Sequence, residues 1–329
     1  MKSCIFLLAL FLTLGVSQNA LASCGAASCP LNNHRYLKAG WFQLGLAHEY
    51  INQDQIYVGS SRSFVGAIPS HHDEVQTLNE RNVFQIQYGI TDRVGINVDV
   101  PFIHREHTHI GHEDGQDIWE SWNFSGLGDM VVSTQYALLT PSEEFEPYVS
   151  FVLGMKIPTG VTGLKNAEGE EAEVTIQPGT GSLDGIVGLN YRQTLFSVPT
   201  VSGAYSALPL SIGVSYQFNG KGTYDYRFGN SLLTSVGTAY QFTQRATLLF
   251  QANGRFQGFA EVGSTEEPRE NTGGTWIFAS PGLSFQLSQA FSAYGYVQLP
   301  VYQNVHGIQQ TAKVNLLFGV SYNIDLLTL

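Results

Sequence analysis

Between Phe84 and Val100 the chain alternates apolar and polar residues with a period of two on both sides of a short turn, and this pattern restricts the fold most strongly. Phe84, Ile86, Tyr88 and Ile90 interleave with Gln85, Gln87 and Gly89; after Thr91-Asp92-Arg93, Val94, Ile96, Val98 and Val100 interleave with Gly95, Asn97, Asp99 and Pro101. Side chains two apart share one side of an extended chain, so each arm is a strand with one apolar and one polar face. The same alternation marks twelve segments, near 38–50, 82–90, 94–103, 128–139, 148–157, 183–194, 208–218, 231–242, 246–257, 275–287, 291–302 and 313–324. At about 9 to 13 residues each, they match a tilted membrane strand and exceed the soluble norm of about 5 to 6.

An even strand count is what a closed bacterial barrel requires, and the connections fit one. Thr91-Asp92-Arg93, Thr243-Gln244-Arg245 and Ser288-Gln289-Ala290 are tight turns, joined on the short side by 141–147 and 195–207. Segments 51–81, 104–127, 158–182, 219–230, 258–274 and 303–312 are long and polar. Outer-membrane barrels keep short turns in the periplasm and long loops outside, so all six long segments are predicted exterior and both termini periplasmic. One strand face carries Val149, Phe151, Leu153, Met155 and Ile157, then Val187, Leu189 and Tyr191, then Val314, Leu316, Phe318, Val320, Tyr322 and Ile324; lipid is its expected partner. The other carries Lys156, Asn190, Arg192, Gln251, Asn253, Arg255, Lys313 and Asn315. A soluble sandwich also alternates, but rarely with strands this long and Tyr and Phe at their ends. The fold class expected is all-β, a membrane-spanning antiparallel β-barrel of twelve strands over 38–329.

Met1-Lys2, the apolar run from Ile5 to Val16 and Ala20-Leu21-Ala22 have the order of a secretory signal peptide over 1–22, leaving 23–37 as a periplasmic N-terminal segment. Past it no apolar run approaches the ~20 residues of a membrane helix, and barrels alone span lipid without one. The formal net charge of −11 argues against nucleic acid as a partner. Acids outnumber bases in four long segments: Asp54, Asp73 and Glu74 against Arg62; Glu106, Glu113, Asp114, Asp117 and Glu120 against Arg105; Glu168, Glu170, Glu171 and Glu173 against Lys165; and Glu261, Glu266, Glu267 and Glu270 against Arg269. The field therefore concentrates at the loops, as an attraction for cations or as ordinary loop solubility.

Near the C-terminus Gly319-Val320-Ser321-Tyr322-Asn323-Ile324 resembles the bacterial barrel-assembly signal, although the chain continues to Leu329. It makes the assembly machinery an expected partner, beside outer-membrane lipid and lipopolysaccharide. His71-His72-Asp73-Glu74, Asp99-Val100-Pro101-Phe102, Gly126-Leu127-Gly128-Asp129, the run Gly154-Met155-Lys156-Ile157-Pro158-Thr159-Gly160 and Gln177-Pro178-Gly179 resemble, as a set, the outer-membrane transporter family named for the meta-cleavage pathway of phenol degradation. The resemblance covers most of the chain from about Leu37. It implies a Gram-negative outer-membrane barrel with an uptake role and carries over no catalytic residues.

The densest ligand chemistry is in 104–117, where His104, His107, His109 and His112 stand among Glu106, Glu113, Asp114 and Asp117. Neutral imidazole suits a divalent transition metal such as Zn or Cu, and His71 and His72 in the preceding exterior loop are further candidates. The alternative is a pair of solvated polar loops whose acids hold Ca or Mg against lipopolysaccharide. Asp99, Lys156, Arg192, Arg255 and Lys313 are the candidate lumen-lining charges, either along a pathway or paired off as a polar plug. Cys24 and Cys29 fit a small disulfide loop, lipidation at Cys24, or a metal or redox pair. Of the nine histidines only His48 falls inside a predicted strand and no motif sets a Ser beside it, so an enzyme is not expected. The function expected is passive transport of a small molecule or metal solute, with a closed-lumen binding or structural barrel as the alternative.

Overall fold

The computed structural model describes residues 38–326 apart from 68–71, 114–115, 144, 202, 204 and 266. The predicted signal peptide, the 23–37 segment with Cys24 and Cys29, and His71 lie outside the described residues. The strands are β1 (Trp41–Val58), β2 (Ser61–Arg62), β3 (His72–Gly89), β4 (Val94–Glu113), β5 (Gln116–Leu127), β6 (Met130–Leu139), β7 (Tyr148–Ile157), β8 (Asp184–Pro199), β9 (Tyr205–Phe218), β10 (Ser231–Gln241), β11 (Ala246–Gln257), β12 (Gly274–Gln286), β13 (Phe291–Val305) and β14 (Ile308–Asp325). Each pairs antiparallel with its neighbour, and β14 returns to β1 from Trp41↔Asp325 to Val58↔Ile308. β2 is a two-residue return against β1, and β5 and β6 share one place beside β4, so the barrel has twelve strands, as the alternation predicts. Closure pairs the backbone polar groups that an open edge would leave facing lipid.

The alternation turns this protein inside out relative to a soluble one. Leu44, Phe84, Ile86, Phe151, Leu153, Met155, Leu189, Phe250 and Phe318 are exposed on the outer wall, while Gln43, Glu49, Gln53, Asn79, Ser150, Asn190, Gln251, Asn253 and Asn315 are buried inside. A period of two does this directly, because each strand has lipid on one side and the lumen on the other.

Several strands run well past the predicted bounds. β1, β3 and β14 have 18 residues each and β4 has 20, which exceeds the roughly 9 to 11 that cross a membrane. The stretch 104–127, expected to be an exterior loop, is instead a continuation of β4 and its hairpin with β5, in register from Phe102↔Leu127 to Glu113↔Gln116. Beyond Ile103 the polar residues of β4 occupy both faces and the apolar Trp122 and Phe124 of β5 turn inward, so the outward apolar row that identifies strands disappears while the ladder continues.

β6 pairs with β4 only over 94–99, and β5 takes over from Phe102. The break falls at Gly128-Asp129, where the Gly128 N–H donates to Pro101 O at 2.9 Å and the chain turns Asp129 inward. Three apolar clusters sit at the long-loop end of the barrel. Trp122 and Phe124 pack with Ala172 and Ile176; Val174, Tyr226 and Phe228 with Ala260; and Trp276 and Phe278 with Val305. The first joins the β7–β8 connection to the inner wall, the second joins three connections to one another, and the third lies on β12 and β13.

Candidate functional site

The connection between β7 and β8 folds into the barrel, and its stretch 174–180 is buried throughout. Sequence alternation says nothing about this segment, but its anchors are the motif residues. Asp129 Oδ1 accepts the Gly160 N–H at 3.0 Å, and its Oδ2 accepts the Thr180 N–H at 2.9 Å and hydroxyl at 2.6 Å. Lys156 lies 2.9 Å from Asp129 and 2.9 Å from Asp184, donates to Ser182 Oγ at 3.0 Å, and also bonds the Thr180 hydroxyl. Lys156 and Asp184 are each only 1% exposed. A buried lysine between two carboxylates with two hydroxyls is satisfied only while all the partners stay in place, so the network fixes the start and end of the loop together.

Backbone contacts complete the anchor. Val161 N–H donates to Leu127 O at 2.8 Å, Gly179 N–H to Val161 O at 2.9 Å, and the Thr159 hydroxyl to Gly128 O at 3.2 Å. Gly160 and Gly179 touch backbone to backbone: a Cβ built on Gly179 would lie 2.4 Å from the Gly160 carbonyl carbon. Gly126–Asp129, Gly154–Gly160 and Gln177–Gly179, which read in sequence as marks of a family, are therefore one structural knot. Two glycines 19 residues apart with an Asp between polar strands were the available signal, but only the fold shows that they meet. Deeper in, Arg105 on β4 donates to the carbonyls of Thr175 and Gln177 at 3.5 and 3.4 Å, and the Trp122 indole donates to Glu170 O at 3.2 Å.

The described candidate metal ligands divide between the two faces of β4. His107 and His109 point inward from β4 and are buried, 3.4 Å apart and both packed on Trp122. His107 bonds Thr77 at 2.8 Å and lies 3.5 Å from Glu74, while His109 pairs with Glu120. His104 has the opposite parity and bonds Ser125 at 2.9 Å. His72 and His112 lie in β3 and β4, with side chains outside the described residues. Among the described residues no group of three or more His, Cys, Asp or Glu is placed to hold a metal ion. Alternation along β4 sends His104 to the face opposite His107 and His109.

The candidate lumen charges separate by depth. Asp99 lies on the inner face with Gln85 at 3.2 Å and Asn97 at 3.1 Å; all three are half-buried, as is Arg192. Glu49 and Arg81 form an inward pair at 3.0 Å. Arg255 is buried, stacks 5.3 Å from the Trp276 ring centroid and donates to Gln257 at 2.6 Å. Lys313 departs from the expected inward row: it is exposed, next to the register shift between Ile51 and Gln53 where the β1–β14 ladder slips. The loop end is thus filled by fixed side chains, whereas the inner face of β3 and β4 toward the short turns is more accessible.

Val174 of the inserted loop packs with Tyr226 and Phe228 from the β9–β10 connection and Ala260 from the β11–β12 connection. Within the loop the Thr175 hydroxyl donates to Glu173 Oε2 at 3.2 Å. Burial, and secondarily the negative charges of Glu173 and Glu74, push the Glu267 carboxyl up to about 8 against hydrogen bonds that favour its ionised form.

No family model and no curated protein matches the chain. Among solved structures it is similar to an outer-membrane channel from Pseudomonas putida F1, with a TM-score of 0.62 at 10% identity over 89% of this chain and 98% of that one. The transport unit of the autotransporter AIDA-I from Escherichia coli gives 0.48 at 11% identity, over 98% of this chain and 97% of that one. The KdgM porin gives 0.43 at 11%, over 85% and 98%. The first of these likenesses places the fold among outer-membrane barrels.

Proposed function

We propose that the chain is an outer-membrane barrel for passage of a small polar solute, with the inserted β7–β8 connection controlling its exterior mouth and both termini in the periplasm. The observation that carries this reading is a difference within the lumen: Gln85, Asn97, Asp99 and Arg192 on the inner wall are half-buried, whereas the long-loop end is stopped by a segment tied in at a few polar anchors. A barrel with a purely mechanical role needs no such difference. The likeness to a Pseudomonas protein described as an outer-membrane channel supports the same reading. So does the resemblance of the anchor motifs to the family named for phenol degradation, and an aromatic solute rests on that family's name alone.

The alternative, a closed binding or structural barrel, is favoured by the full burial of Lys156, Asp184 and Arg255. Single-channel recording in planar bilayers separates the two, comparing wild type with a variant in which 165–176 is replaced by a short Gly-Ser linker. Wild type is expected to conduct and the shortened loop to conduct several-fold more. Silence from both proteins, when both are folded and inserted, would discard transport and leave the closed barrel.

A further inference from the structure

We propose that the inner wall of β11 to β14 binds a neutral saccharide ring, stacked on Tyr296 and hydrogen-bonded by Asn253, Gln298 and Asn315. This names a solute class for the proposed channel and rests on that reading for passage, whereas binding stands by itself.

Three observations carry it. The first is a polar row across four neighbouring strands. Ser280 on β12 donates to Asn253 Oδ1 on β11 at 3.2 Å, and Asn315 Nδ2 on β14 donates to Gln298 Oε1 on β13 at 2.7 Å. Each amide commits one atom to a neighbour in this way, while among the described residues Asn253 Nδ2, Gln298 Nε2 and Asn315 Oδ1 have no hydrogen-bond partner. The three residues are only 4 to 5% exposed, and a polar atom left unpaired at such a depth is costly, which favours a ligand able to pair it. Two donors and one acceptor suit hydroxyl groups, since a hydroxyl both gives and accepts.

The second is the pair of rings beside that row. Tyr294 and Tyr296 share the inward side of β13 with Gln298, and their ring centroids are 6.3 Å apart. Tyr294 is opposite Gly319 on β14 and Tyr296 opposite Gly282 on β12. A Cβ on Gly282 would lie 2.5 Å from Tyr296 Cδ1, so this ring leans across the wall where its neighbour has no side chain. Both tyrosines are half-buried and leave part of each ring to the lumen. The slightly positive C–H groups of a sugar settle on the negative face of such a ring, and its hydroxyls then reach the amides. A plain aromatic solute would use the rings and leave the amide atoms unpaired.

The third is charge. The stretches 247–253, 280–284, 292–298 and 315–321 contain no acid and no base, so this part of the wall offers an ion no counter-charge. Arg255, the next inward charge on β11, lies toward the long loops and stacks on Trp276.

The test is isothermal titration calorimetry on the purified full-length barrel, in a detergent without a sugar headgroup. Methyl α-glucopyranoside is the probe, with benzyl alcohol and glycine betaine as comparisons. Wild type is expected to bind the glucoside about tenfold more tightly than either comparison. Gln298→Leu and Asn315→Leu each remove a pairing atom and are expected to weaken binding about threefold to tenfold. Tyr296→Ala is expected to weaken it about tenfold. Tyr296→Leu, which keeps more of the bulk, gives the same loss and keeps the test sharp where the alanine variant does not fold. Tyr88→Ala, on the outer wall, leaves binding unchanged. No binding of the glucoside, benzyl alcohol bound as tightly, or amide and tyrosine variants with wild-type affinity would each overturn the saccharide site. Binding is read without current: glucoside binding by a protein that never conducts refutes the channel and keeps the site, and conductance without glucoside binding does the reverse.

Discussion

Lys156 is the side chain whose removal the structure tolerates least. Its ammonium group balances Asp129 and Asp184 in a place with almost no solvent access, so Lys156→Met leaves two carboxylates buried and facing one another. Breaking a buried pair in this way costs about 3 to 5 kcal/mol, whereas neutralising all the partners together is close to neutral. The expected outcome is a lower urea midpoint for Lys156→Met refolded into lipid vesicles, and recovery in the Lys156→Met/Asp129→Asn/Asp184→Asn variant; a single substitution as stable as wild type would show that the network does not anchor the loop. Gly179→Ala acts through shape. The added methyl cannot fit 2.4 Å from the Gly160 carbonyl carbon, so the loop is expected to leave its seat and be cut by protease about tenfold faster within 158–183, with the barrel intact. In the sequence Gly179 stood out only as part of a resemblance and Lys156 also as an inward charge, because neither the partners of Lys156 nor the contact of the two glycines is local.

At the scale of the strands, the outer face tolerates least a charge and the inner face a gap. Leu153 on β7 is 58% exposed in the chain and meets lipid in the membrane, so Leu153→Lys is expected to destabilise the inserted barrel by about 2 to 4 kcal/mol in the same vesicle titration. An effect near zero would place this row of β7 outside the bilayer. Strand existence was legible because a lipid wall and a polar lumen demand opposite residues at alternate positions. Strand length was not, since β3 and β4 continue with polar residues on both sides and β5 turns Trp122 and Phe124 inward, and the histidines between 104 and 112 therefore passed for a loop. The ladder sets His104 on the face opposite His107 and His109, which form an inward His–Trp–Glu arrangement.

At the scale of the whole molecule, closure rests on the long β1–β14 ladder, and the ion pair of Lys38 with Asp325 at its short-turn end adds little because Lys38 is 61% exposed. Lys38→Ala is expected to change stability by less than about 1 kcal/mol and to leave heat-modifiable migration intact; loss of that migration would give the pair a role in closure that its exposure denies. The sequence by itself determined that the chain closes into a twelve-stranded barrel with an apolar wall and a polar lumen, since a period of two repeated twelve times leaves no other surface for those apolar rows. Only the tertiary structure decided what fills the mouth. The meetings of Lys156 with Asp129 and Asp184 and of Gly160 with Gly179 join residues far apart along the chain, and such contacts depend on where a loop folds once the wall is complete.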